Sequence, residues 1–163
     1  MKRQFMLYGS VALLSFLTGT FLQAQDTIFK TLPAITITST SKVVKEVSNS
    51  FRIAFPEAQN AAWYKLDKNY LVMFMTNDQS NRALFNKYGY LIYHIRYGNE
   101  NNMPRDIRNL VKSRYSDYKI TSVIFVNQDE RNVWVINVEN DKRVLVLRSE
   151  DGELDRIDLY KKI

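Results

Sequence analysis

Few side chains in this sequence could do covalent or acid–base chemistry. There is one histidine, His94, and no cysteine. Without a thiol there is no thiolate nucleophile and no thiolate metal site. A single imidazole cannot supply the paired histidines of a zinc centre. A serine–histidine arrangement would need His94 beside a serine and a carboxylate. His94 stands between Tyr93 and Ile95 in a strand-like run, where a partly exposed sheet residue is the simpler reading. Only Gly89, Gly98 and Gly152 follow residue 24, which excludes a glycine-rich phosphate cradle. These features argue against an enzyme, and no cofactor or metal is expected.

Two charged clusters remain. Glu150, Asp151, Glu153, Asp155 and Asp158 could supply an acid and a base, or bind calcium. Strand alternation puts Glu153 and Asp155 on one face and Asp158 on the other. The run also lacks the ligand order of a calcium loop. A solvated hairpin fits better, with Arg148 and Arg156 as cross-strand partners. Arg105, Arg108 and Lys112 form a basic patch opposite Ile107, Leu110 and Val111, extended by Arg114 and Lys119. Such a patch could meet anionic lipid or polysaccharide, although a solvated helix face has the same look.

The elements that hold these residues come in two similar sets. Val43, Val47, Phe51 and Phe55 fall on one stripe of a helix that Ser41 can cap and Pro56 ends. Strands are expected at 61–66, 70–76, 82–86 and 90–97. Ile107, Leu110, Val111 and Tyr115 form the stripe of a second helix, with Asn102 as cap and Pro104 in its first turn. Strands are expected again at 120–126, 132–138, 143–148 and 153–160. Gly89 follows Tyr70 by the same interval as Gly152 follows Val133, and Asp151-Gly152 is a hairpin turn signal. The expected fold is therefore α+β: two tandem helix-plus-four-strand antiparallel repeats, about 41–98 and 102–160. Together they form one pseudo-symmetric sheet with helices on one face.

The chain begins with Lys2-Arg3, an apolar run from Phe5 to Leu22, and Ala24. That order reads as a secretory signal over residues 1–24, cleaved after Ala24, which leaves no membrane span. Residues 25–40 read as a leader with a possible edge strand around Ala34–Thr38, and 41–163 as the duplicated domain. Loss of Lys2 and Arg3 lowers the formal net charge from +6 to +4. Nucleic acid is an unsuitable partner for an exported protein of such mild charge. An exported domain without disulfides must be stabilised by its core, which suits a bacterial periplasmic or secreted protein.

The sequence resembles the PepSY-like, beta-lactamase-inhibitor-like family of secreted bacterial domains. Phe55-Pro56-Glu57-Ala58 ahead of Trp63, then Tyr70, Val72 and Phe74, then Phe85, Gly89 and Leu91 carry the resemblance. In the second half Tyr115, Tyr118, Ile120 and Asp151-Gly152 do so. It covers roughly residues 43–160 and rests on packing and turn motifs. In the inhibitor branch a concave sheet binds a partner enzyme and a hairpin loop inserts an acidic residue. The corresponding loop here is Asn77-Asp78-Gln79-Ser80, so the resemblance implies such a role for Asp78. Backbone chemistry alone also favours Asp in a turn.

The resemblance also implies that Tyr70, Val72 and Phe74 face the core. Leu71, Met73 and Met75 then lie on the second face, with Ile92 and His94 of the fourth strand beside them. Val133 and Val135 take the same place in the other half. A sheet covered on one side should be polar on the other, and this one is not. Clustered apolar groups left in water mark an interface, and Met adapts to a partner. The expected function is docking of a protein or peptide on this face. Alternatives are self-association of an envelope protein, and binding of an anionic glycan or lipid through Arg105, Arg108 and Lys112.

Overall fold

The computed structural model describes residues 37–40 and 42–163. Its strands are β1 (Ile37–Ser39), β2 (Gln59–Leu66), β3 (Asn69–Thr76), β4 (Gln79–Asn86), β5 (Leu91–Gly98), β6 (Lys119–Gln128), β7 (Arg131–Glu139), β8 (Arg143–Glu150) and β9 (Glu153–Lys161). They form a single antiparallel sheet whose spatial order is the chain order. Helix α1 (Lys45–Ala54) lies in the join from β1 to β2. A 3-10 turn (Glu100–Asn102) and helix α2 (Arg105–Arg114) lie in the join from β5 to β6. The class is α+β. The expected signal over 1–24, the leader as far as Thr36 and the cap at Ser41 lie outside the described residues. Of the edge strand expected around Ala34–Thr38, the described residues show Ile37–Ser39 as β1, paired with Tyr64–Leu66 of β2.

Each helix is placed by its apolar stripe. Val47, fully buried, and half-buried Phe51 and Phe55 press onto Tyr70, Val72, Phe74, Ala83 and Phe85. Val43 packs on the same cluster although α1 begins two residues later, with Val44 as an N-cap that makes no side-chain hydrogen bond. Pro56 follows and bars the helix from continuing. Under α2, Val111, Ile107 and Leu110 press onto Val123, Trp134, Ile136, Val138, Leu145 and Leu147. Pro104 is the N-cap of α2 rather than a first-turn residue, and Asn102 closes a capping box with Asn99 in the 3-10 turn instead.

Both helices cover the same side of the sheet. Residues directly opposite across antiparallel strands share a face. Phe74, Asn81, Arg96, Phe125, Trp134 and Ser149 form such a row. One end of the row packs under α1 and the other under α2. The buried residues thus form two clusters rather than one, and between them stands a polar seam of Asn81, His94 and Arg96.

Four hairpins depart from regular register. The extra residues lie between Gln59 and Ala62 in β2, at Ile92 in β5, at Thr121 in β6 and at Ile157 in β9. The β2–β3 and β6–β7 pairs are irregular near the start of their first strand. The β4–β5 and β8–β9 pairs are irregular in their second. A bulge reverses the side to which alternate residues point, so these single insertions decide which side chains meet a partner. The tight turns follow backbone chemistry: Asn77-Asp78, Asp129-Glu130 and Asp151-Gly152 all have positive φ, as two-residue hairpins of matching twist require.

Candidate functional site

The face opposite the helices is built from three rows of cross-strand neighbours. The central row is Ala62, Met73, Arg82, Ile95, Val126 and Val133. On one side run Tyr64, Leu71, Leu84 and Tyr93, ending in Gln128 and Arg131. On the other, Tyr97, Ile124 and Val135 lead to Arg148 and Asp155. Most of the apolar members are half-buried. Strands whose two faces are both apolar normally lie between two layers. Here the described residues supply a layer on one side.

Of the residues expected on this face, Leu71, Met73, Met75, Val133 and Val135 are there. Ile92 and His94 are not aligned with them. His94 pairs with Ala83, whose side chain is fully buried on the helix side. Its ring lies 4.7 Å from that of Phe55. The cause is the extra residue in β5. Phe85 pairs with Leu91 next to the turn, and that register, if kept, would set Ile92 opposite Leu84 and His94 opposite Arg82. The shift at Ile92 sets Tyr93 opposite Leu84 and Ile95 opposite Arg82 instead. Tyr93, Ile95 and Tyr97 therefore take the open positions. The sequence holds no sign of this exchange, because Tyr-His-Ile-Arg-Tyr alternates in favour of burying the wrong set.

The acidic cluster is also rearranged by a bulge. Ile157 is the extra residue, so Asp158 pairs with Val146 and returns to the face of Glu153 and Asp155. The expectation that Asp158 points the other way is corrected. Glu150, Asp151, Glu153 and Asp155 line a recess of about 280 Å³ together with Arg148. Most carboxylates of the cluster have partners of their own. Arg131 holds Glu150 in a fork, at 2.7 and 3.0 Å, and that hydrogen bonding lowers the Glu150 pKa. Arg148 lies 3.0 Å from Asp155. The Tyr160 hydroxyl donates to Asp158 and lowers its pKa. Among the described residues no group of three or more His, Asp or Glu is placed to hold a metal ion.

In the basic patch, Arg105 and Lys112 are exposed and Arg108 is half-buried. The Lys112 ammonium is paired with Glu100. Asp78 is exposed at the tip of the β3–β4 hairpin, with φ of 63°.

The architecture can be set beside known proteins. No protein-family model matches the chain, and no curated protein does. Solved structures do. A DUF2874 family protein from Bacteroides ovatus is 20% identical, with a TM-score of 0.57 over 75% of this chain and 89% of that one. A BLIP-like protein from Bacteroides fragilis is 14% identical, with a TM-score of 0.58 over 75% and 88%. A Bacteroides eggerthii protein provisionally assigned to the periplasm is 17% identical, with a TM-score of 0.54 over 74% and 89%. The fold is similar to that of these Bacteroides proteins, the BLIP-like one among them. At these identities the likeness is one of fold alone, and the PepSY-like side of the resemblance is not shown by it.

Chemically, the sheet offers contact area. Its open face presents flexible Met and Leu beside Tyr rings, the composition of an adaptable contact surface. Burial raises the pKa of the Tyr93 hydroxyl, opposed by the charge of Arg82. On the helix side, Phe55, Glu57, Asn81, His94 and Arg96 line a second recess of about 280 Å³. There the His94 pKa is lowered to about 4, first by burial and then by Arg96. Neutral at ordinary pH, His94 joins the aromatic packing of the seam.

Proposed function

We propose that this chain is an exported, non-enzymatic binding module that docks a protein or peptide on the open face of its sheet. The observation that carries the reading is the continuous apolar surface on β3 to β7, opposite both helices and broken in its central row by Arg82 alone. An apolar surface of this extent stabilises association when covered and favours aggregation when left bare. Export is supported by the Lys2-Arg3 start and the apolar run to Leu22, and by the periplasmic assignment of the Bacteroides eggerthii neighbour. The name of the Bacteroides fragilis neighbour makes an inhibitor-like role the finer form of this reading, with Asp78 at a hairpin tip as the acidic group offered to the partner.

The two helix-plus-four-strand sets are read as copies of one unit. Register irregularities recurring in the first and third hairpin of each set support that duplication. Binding of anionic glycan or lipid through α2 draws less support, because Lys112 is neutralised by Glu100.

A photo-crosslinking amino acid placed at Val126 in the full chain, expressed in its own cell, tests the reading. A discrete heavier adduct from position 126, with none from position 113 on the outer side of α2, is the expected result. Equal labelling at both positions, or no adduct at 126, would remove the proposal.

A further inference from the structure

Arg82 is set into the middle of the open face, and its surroundings specify what a partner must bring. Its direct neighbours across the sheet are Met73 and Ile95. Its guanidinium lies over the ring of Tyr97, 5.2 Å from the centroid. Arg82 belongs to none of the ion pairs among the described residues. By contrast Arg131 and Arg148, at the margins of the same face, are each held by a carboxylate of this chain.

A partner that covers the face must take Arg82 out of water. Covering a lone guanidinium with apolar groups leaves a buried unpaired charge, among the most destabilising features an interface can hold. A carboxylate removes that penalty, because its two oxygens match the planar fork. Stacking on Tyr97 already restrains the guanidinium, so less freedom is lost when the pair forms. The charge is therefore complementary to one kind of occupant.

Resting on the docking face argued above, we propose that the partner is a protein segment that seats an aspartate or glutamate carboxylate on Arg82 while its flanking apolar side chains cover Met73, Ile95 and Val126.

Panning a random-peptide phage library on the purified full chain tests this, followed by titration of the recovered peptides. Recovered sequences should carry an acidic residue between apolar ones. Arg82→Met should weaken binding by about thirtyfold or more. Converting the peptide's acid to its amide should do the same, and the two losses should not multiply. Arg82→Lys, which keeps the charge and loses the fork, should fall between. The double variant Met73→Asp with Ile95→Asp should abolish binding, with circular dichroism melts showing that each variant is folded. Peptides that need Met73 and Ile95 but are indifferent to Arg82→Met overturn the carboxylate and leave the docking face standing. Peptides indifferent to every variant, or a library that yields none, overturn the docking face as well. Recovered sequences matching a stretch of this chain assign the face to self-association and overturn the proposal.

Discussion

The His94 Nε2 lies 2.9 Å from Oδ1 of Asn81, and the pair occupies the boundary between the two apolar clusters. The Asn81 amide nitrogen donates to Thr76 Oγ1 and to the Gln79 carbonyl, both at 2.8 Å. That leaves Oδ1 as the acceptor and makes Nε2–H the donor. The His94 ring meets Phe55 and Phe74 on one side and Phe125 on the other. The contact thus joins the halves through a neutral imidazole.

Acid should weaken the protein through this residue. The folded His94 pKa of about 4 lies below the ordinary 6.5, so between those values the unfolded chain takes up a proton that the folded one refuses. The contribution is whole above pH 6.5 and is lost as pH falls toward 4, by about 1–2 kcal/mol after allowance for solvent screening. Denaturant titrations at pH 7 and pH 4.5 check the sign, with Glu57 and Arg96 as the other charged groups lining the recess. In His94→Gln the difference between the two pH values should shrink. An unchanged difference would assign the acid sensitivity elsewhere.

Two glycines of like conformation should respond differently to alanine. Gly89 has φ of 87°, and a Cβ there would stand 2.5 Å from Ser50 Oγ and 2.9 Å from the Glu46 carbonyl oxygen. Gly152 has φ of 82° with nothing within 4 Å. Gly152→Ala should cost about 1–2 kcal/mol from backbone strain alone. Gly89→Ala should cost about 3 kcal/mol or more, because α1 must also move. Thermal melts of the two variants at one pH decide, and equal losses would mean that α1 yields freely.

The two apolar clusters should behave as nearly separate stores of stability. Val72 belongs to one and Ile136 to the other, and both are fully buried. Val72→Ala and Ile136→Ala should each destabilise by about 2–4 kcal/mol. In the double variant the losses should add to within about 0.5 kcal/mol. Non-additivity well beyond that, measured by denaturant unfolding, would show that the polar seam transmits strain.

Ser149 offers a gain. Its hydroxyl is buried in the core row between Trp134 and Leu154 and has no hydrogen-bond partner among the described residues. Ser149→Ala removes the unmet group with little change of shape and should be neutral or stabilising by up to about 1 kcal/mol. A marked drop in melting temperature would reveal a hydroxyl partner.

Elements were legible in the sequence wherever one period ran uninterrupted. Val47, Phe51 and Phe55 announce α1, and the apolar run from Tyr70 to Met75 announces β3. That run is apolar on both faces, so it is the family resemblance that implies Leu71, Met73, Val133 and Val135 on the open face. Legibility ended at the bulges. Ile92 and Ile157 are ordinary β-branched strand residues, and nothing in their type marks them as supernumerary. Yet each reverses the residues beyond it, which moved His94 inward, brought Tyr93 and Ile95 outward and returned Asp158 to the face of Asp155. The role of Arg82 is illegible in the sequence for a related reason. A lone Arg in a strand reads as solvated until its neighbours on both sides prove to be apolar.

The sequential order of the sheet bears on how this chain acquires its shape. Every strand, including the two reached through a helix, pairs with the one made just before it. Synthesis from the amino end can therefore extend the layer hairpin by hairpin, without waiting for a distant segment, and such local pairing favours fast folding. Each incomplete product would present its newest strand as an unsatisfied border until the next arrives. The last border, β9, carries Glu153, Asp155, Arg156, Asp158 and Lys161, and charges of this kind discourage a further chain from continuing the ladder.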